Sequence, residues 1–174
     1  MALLTEADLG KFFGSFSASA FRFETRDRYI STVGKTPFQK YLAGEPDDHA
    51  WHRGWMEMLS RDVAVGKTWR RVRIVSVPLS DYNRYSIGIG RLSVRAGEEI
   101  RYLTREAARA LSLAPLDAWL FDSRVLVHLH FYDDDTFREA EVVEDQGVVD
   151  QHLMWRDLAW QQAIPLEDFA AAYS

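Results

Sequence analysis

The segment Trp-Arg-Arg-Val-Arg-Ile-Val-Ser-Val, from Trp69 to Val77, constrains the fold more than any other stretch of the chain. Its residue types fit a β-strand, in which successive side chains leave opposite faces. Val72, Ile74 and Ser76 then share one face, and Arg71, Arg73, Val75 and Val77 the other. Pro78-Leu79-Ser80-Asp81-Tyr82 turns the chain into a helix that is expected to end near Gly97, and Glu99 to Leu103 reads as the next strand. A strand, a capped helix and a second strand in succession point to a sheet with helices laid on it.

The same logic extends in both directions. Thr5-Glu6-Ala7-Asp8 opens a helix with a hydroxyl at the cap and carboxylates in the first turn, and Gly14 with the serines after it ends that helix. Ala20 to Thr25 alternates apolar and polar and is the first predicted strand. Pro37 to Ala43 is a short helix, and the Gly44 to Asp48 turn separates it from another. In that second helix Trp51, Trp55, Met58, Leu59 and Val63 form one stripe, and Gly66 is the C-cap. Arg105 to Leu111 is a short helix. Ala118 to Phe121 and Val125 to Tyr132 are strands joined at Asp122-Ser123. The Asp133-Asp134-Asp135 turn returns the chain as Phe137 to Val143. Asp145 caps a long helix through Gln162, and Pro165 starts a final short one. The fold class is therefore α/β, or α+β: a mixed sheet of about five to six strands with helices on its faces, in a single domain over residues 1–174. No repeat or long linker divides it.

Composition narrows the setting. The absence of cysteine removes disulfides and thiolate metal sites and points to the inside of a cell, so a cytoplasmic location is expected. The first fifteen residues carry acidic groups where a signal peptide needs basic ones, and no apolar run approaches a membrane span. A net charge of -5 opposes a nucleic-acid binder. Aromatic residues make up 13% of the chain, with six Trp, which favours a large core and leaves room for a binding surface.

Several motifs are weighed and set aside. Ala64 to Thr68 imitates a phosphate loop, but Arg61 stands at the required upstream glycine and the stretch follows a helix. Gly88-Ile89-Gly90 lies inside a helical pattern, where glycine serves close helix packing. The Asp triplet lacks the spaced ligands of a calcium loop.

Two constellations remain. Arg70, Arg71 and Arg73, with Arg84, Arg91 and Arg95 on the following helix, concentrate positive charge where a strand end meets the Ser80-Asp81 cap. This is a common ligand position in an open sheet, and Arg71, Arg73, Asp81, Tyr82 and Arg84 are its candidate residues for a small anion or an acidic partner. His128 and His130 share one strand face. A symmetric hairpin places Glu141 opposite His128 and Glu139 opposite His130, a set able to bind zinc or move protons, although a solvated face with cross-strand charge pairs explains the same residues. No stoichiometric metal and no cofactor is expected. Asp122, ending its strand at a tight turn, is expected to accept nearby backbone N–H groups and is the remaining candidate binding residue. Trp119 and Phe121 fall on one face of their strand and belong to the core.

Phe21 to Thr25, Arg73 to Tyr82 and Trp119 to Asp122, together with Trp155 to Trp160 and Ala163 to Pro165, resemble an uncharacterised actinobacterial domain family. The resemblance covers nearly the whole chain. Thr136 stands where that family often has glycine after the acidic turn. Members are often encoded beside helix-turn-helix regulators, so the resemblance implies a non-catalytic binding or sensor module with a regulator as protein partner. The second half is more remotely similar to one half of a phospholipase D-like domain, whose motif is His-x-Lys, four residues, then Asp. Aligned on Asp122, Pro115 replaces the nucleophilic His and Asp117 the Lys, so the likeness implies a degenerate site. A hydrolase or phosphodiesterase built on His128, His130, Glu139 and Glu141 is the alternative. Direct DNA binding ranks behind both, because net charge opposes it and no helix-turn-helix pattern is visible.

Overall fold

The computed structural model describes residues 2–31 and 35–173. Its strands are β1 (Ala2–Leu4), β2 (Ser19–Glu24), β3 (Thr68–Val75), β4 (Glu99–Thr104), β5 (Asp117–Phe121), β6 (Val125–Phe131), β7 (Phe137–Val143) and β8 (Ile164–Pro165). Its helices are α1 (Glu6–Ser15), α2 (Lys35–Ala43), α3 (Arg53–Ala64, preceded by a 3-10 turn at Ala50–His52), α4 (Asp81–Arg95), α5 (Arg105–Ala110), α6 (Gln146–Gln162) and α7 (Leu166–Tyr173). Most helix starts carry their expected chemistry. Thr5 and Asp8 form a reciprocal capping box on α1, although the Glu6 side chain expected beside them lies outside the described residues. The side chains of Ser80, Thr104 and Asp145 accept from backbone N–H groups of Asn83, Ala107 and Val148. Gly66 ends α3 with φ +90°, a value open to glycine at little cost.

All the strands join one mixed sheet in the order β1-β7-β6-β5-β2-β3-β4-β8. β2, β3 and β4 run parallel, and the flanking pairs are antiparallel. The predicted mixed α/β architecture is present, but among the described residues the sheet has eight strands rather than about five to six. The two additional strands, β1 and β8, have three and two residues and sit at the edges, too short to show any periodicity.

One face of the sheet presents Phe21, Phe23, Val72, Ile74, Leu103, Leu120 and Leu126 to α5 and α6. The other presents two separate apolar clusters. Ala20, Trp69, Trp119, Phe121 and Val127 pack with Leu9, Phe16 and Leu59 from the region of α1 and α3. Val75, Ile100 and Tyr102 pack with Ile87 of α4 and Leu166 and Phe169 of α7. The two helices cross closely at Gly90, where a Cβ would lie 2.8 Å from Leu166 Cδ1. That contact is the close helix packing expected of Gly90.

The acidic turn closes without a glycine. Asp135 takes the left-handed conformation at φ 70°, while Asp134 accepts from the Thr136 N–H at 3.0 Å and hydroxyl at 2.6 Å.

Candidate functional site

Between the two apolar clusters of the second face, the strands carry charge instead of hydrocarbon. Parallel register sets Arg22 beside Arg71 and Glu24 beside Arg73, and continues from Arg71 to Ile100 and from Arg73 to Tyr102. Arg22 and Trp119 are paired across the antiparallel boundary. The charges compensate one another. Glu24 holds Arg71 at 2.6 Å and Arg73 at 2.8 Å, Glu98 holds Arg71 at 2.8 Å, and Asp117 holds Arg22 at 2.9 Å. Three guanidinium groups thus meet three carboxylates, and desolvation is tolerated because the strip is neutral. Burial alone would raise the Glu24 pKa, but Arg71, Arg73 and Arg22 outweigh it and hold the carboxyl at about 2, below its ordinary 4.5. Burial likewise opposes the charges of Arg71 and Arg73, yet their carboxylate neighbours win and raise both values.

Glu24, Arg71 and Arg73 of this strip form the floor of a cavity of about 470 Å³, within the range of small-molecule sites. Phe13 of α1, Trp51, Trp55 and Trp119 wall one side, and Tyr82 and Tyr85 of α4 the other; Tyr29 and Tyr102 also line it, together with smaller residues that include Ser31, Ser86 and Ser93. Trp55 lies 5.4 Å from Trp69 and Trp69 5.8 Å from Trp119 between ring centres, so the wall is a packed aromatic array. His52 accepts or donates to Ser93 across 3.1 Å, and burial, with Arg71 nearby, pushes its pKa down to about 4. Its imidazole is neutral at physiological pH.

Four polar atoms in the lining are buried without a hydrogen-bond partner: Arg73 Nε and NH2, Tyr85 OH and Tyr102 OH. Arg73 Nε is within ion-pair distance of Glu24, but its N–H is misaligned for a hydrogen bond. The Tyr102 hydroxyl lies beside Arg73, whose charge and hydrogen-bonding contact oppose the rise that burial imposes on its pKa, although that contact is not aligned as a full hydrogen bond. Burial raises the pKa of Tyr29, Tyr82, Tyr85 and Tyr102, so every phenol in the lining keeps its proton.

The structure divides the expected arginine site. Arg71, Arg73 and Tyr82 meet in the cavity. Arg84 instead donates to the Leu79 carbonyl at 2.6 Å and lies 3.8 Å from the exposed Asp81, and Arg91 pairs with Glu167 at 2.9 Å. Arg70 turns outward to Glu99 at 2.9 Å and lies over Trp160. The strand-end position expected to take an anion holds the chain's own carboxylate. Asp27 accepts from the Ser76 N–H at 2.7 Å, the Ser76 hydroxyl at 2.6 Å, Asn83 at 3.0 Å and Arg105 at 3.1 Å. These donors outweigh partial burial and lower its pKa.

Asp122 also acts differently from expectation. Its carboxylate accepts from the N–H groups of Ser17 and Ala18 at 2.7 Å and Ser19 at 2.9 Å, roughly a hundred residues away in sequence, so it ties the α1–β2 connection to the β5–β6 turn. The local turn does not use it.

The hairpin has the expected register, His128 facing Glu141 and His130 facing Glu139. The side chains choose other partners. His130 reaches diagonally to Glu141 at 3.2 Å, and His128 Nε2 meets His152 Nε2 of α6 at 3.0 Å. His152 Nδ1 donates to the Val148 carbonyl at 2.9 Å, so its Nε2 is the acceptor and His128 the donor. Burial lowers the pKa of both, His128 to about 4. The face is half-covered by α6 rather than solvated. Among the described residues no three His, Asp or Glu side chains are grouped to hold a metal. Asp117, at the position aligned with a phospholipase D-like Lys, is buried and accepts from Arg22, Thr25 and Tyr29.

Sequence reasoning missed Glu24, Tyr29, His52, Tyr85 and Tyr102. A signal existed for the first: Arg22-x-Glu24 and Arg71-x-Arg73 each place two charges on one strand face, which a buried sheet tolerates only when neighbouring strands supply the opposite charge.

Among the described residues no helix is long and apolar enough to cross a membrane. Comparison with curated proteins yields no match. The family model for the domain of unknown function DUF6879 matches residues 7–171, and with nearly the whole chain so matched, the protein belongs to that family.

Proposed function

We propose that this domain is a non-catalytic sensor module that binds a small molecule in the aromatic cavity and acts as an accessory partner of a transcriptional regulator in the cytoplasm. The observation that carries the reading is the set of buried, unpartnered donors on Arg73, Tyr85 and Tyr102 at the edge of a preformed space. Such groups cost free energy when left unmatched, and a ligand that supplies acceptors recovers it. The ionised groups around them are locked in mutual pairs, which suits recognition better than proton transfer. A helix-turn-helix partner and an actinobacterial host follow from the sequence resemblance. A degenerate phospholipase D-like ancestry belongs to the same proposal, since Asp117 serves Arg22 rather than a phosphate.

The test is thermal melting of the purified protein against size-fractionated small molecules from the native host, with Trp fluorescence as a second readout. A fraction that raises the melting temperature with increasing dose supports the sensor reading. No stabilising fraction, together with phosphodiester hydrolysis that disappears in His128→Ala, replaces it with the hydrolase. Sequence-selective retention of duplex DNA by the isolated domain replaces it with direct DNA binding.

A further inference from the structure

We infer that the cavity takes a flat, largely apolar molecule bearing a carboxylate or another strong oxygen acceptor at one end, with that end against Arg73, Tyr85 and Tyr102. The inference rests on the cavity being a ligand site and adds the chemistry of the occupant.

The walls decide the body of the ligand. Indole and phenol rings from several elements bound a space of about 470 Å³, and their faces favour stacking on a planar group. The polar lining decides its head. Aromatic walls alone would also suit a cation, as in cages for quaternary ammonium groups. Here the nearest carboxylate, Glu24, already spends both oxygens on Arg71 and Arg73. A cation placed at that end would meet the guanidinium groups of Arg71 and Arg73. The lining residues that keep an unmatched donor are Arg73, through its NH2 group, and Tyr85 and Tyr102, whose phenols burial holds protonated. An acceptor completes them, and a carboxylate can accept from a guanidinium and a phenol together.

The experiment compares three probes of one shape, 2-naphthoate, 2-naphthylmethanol and 2-naphthylmethylammonium, by Trp fluorescence titration at millimolar concentration. It uses the wild type and the Tyr85→Phe/Tyr102→Phe double variant. Both substitutions keep the ring, including the stack of Tyr102 on Phe169 at 4.8 Å, and circular dichroism verifies the fold. The naphthoate is expected to bind about tenfold or more tightly than the ammonium, and to lose about fivefold or more in the double variant. Preference for the ammonium, equal binding of alcohol and acid, or naphthoate binding indifferent to the two hydroxyls overturns the acceptor inference while leaving the cavity a ligand site. If none of the probes binds and no host fraction stabilises the protein, both readings fall.

Discussion

Replacing Glu24 by Gln tests the charged floor on which the cavity stands. The carboxylate is the sole anion within ion-pair reach of Arg73 among the described residues, and it also holds Arg71 and lies 3.8 Å from Arg22. Gln keeps the shape and removes the charge. Arg71 retains Glu98, but Arg73 is left charged in the interior, a change that costs about 3–5 kcal/mol in buried pairs of this kind. Proton linkage gives a second, independent magnitude. A carboxyl lowered from 4.5 to about 2 contributes about 3 kcal/mol at neutral pH. Because the folded pKa is the depressed one, that contribution is present above pH 4.5 and is lost as pH falls through about 2. Urea denaturation of both proteins at about pH 7 and about pH 3 should therefore show a difference near 3–5 kcal/mol that narrows by roughly half in acid. For a domain of this size the neutral-pH difference corresponds to a melting temperature lowered by about 6–20 °C. A variant within about 1 kcal/mol of wild type, or a gap unchanged between the two pH values, would refute the claim that Glu24 is the ionised centre of the floor.

Trp119→Ala should cost about 3–5 kcal/mol, read as a lower urea midpoint, because the ring is buried against Phe13 at 5.1 Å and Trp69 at 5.8 Å; a variant that melts like wild type would mean the ring packs on nothing essential. The sequence alone suggests that Asp122→Asn keeps the fold unharmed, whereas the observed geometry aims backbone N–H groups at both carboxylate oxygens. An Asn amide must turn an N–H toward one of them, so a loss of about 1–3 kcal/mol is expected in thermal or urea melts. His128 and His152 are held neutral in the fold, with His128 at about 4 against an ordinary 6.5, so their contribution is full above pH 6.5 and declines toward pH 4. His152→Gln should flatten that part of the pH–stability profile, and an unchanged profile would remove the pair from the account. Elemental analysis of untagged protein should give no stoichiometric zinc, since no three ligand side chains among the described residues converge; about one zinc per chain would return the histidine face to a catalytic role.

The sequence by itself determined the long elements. Apolar–polar alternation over Ala20 to Thr25, strand-forming residue types over Trp69 to Val77, and hydroxyl or carboxyl caps at Thr5, Ser80 and Asp145 are local signals whose physical causes lie within a few residues. The register of His128 with Glu141 was legible for the same reason, because a short turn fixes it. Edge strands of two or three residues carry no period and become strands only through their neighbours. The candidate site lay further from reach. Arg71 and Arg73 were visible as charges, but whether they face solvent or a buried partner depends on Glu24, some fifty residues earlier, being brought alongside by parallel pairing. Asp27 similarly fills the strand-end position that Ser80 and Arg84 suggested for an outside anion. Asp122 finds its donors about a hundred residues away, and His128 meets His152 only because α6 crosses that face of the sheet. Strand and cap propensities act within a segment and can be read from it. Charge pairing acts through space, so which of these arginines, carboxylates and histidines meet was decided only when tertiary structure set their separations.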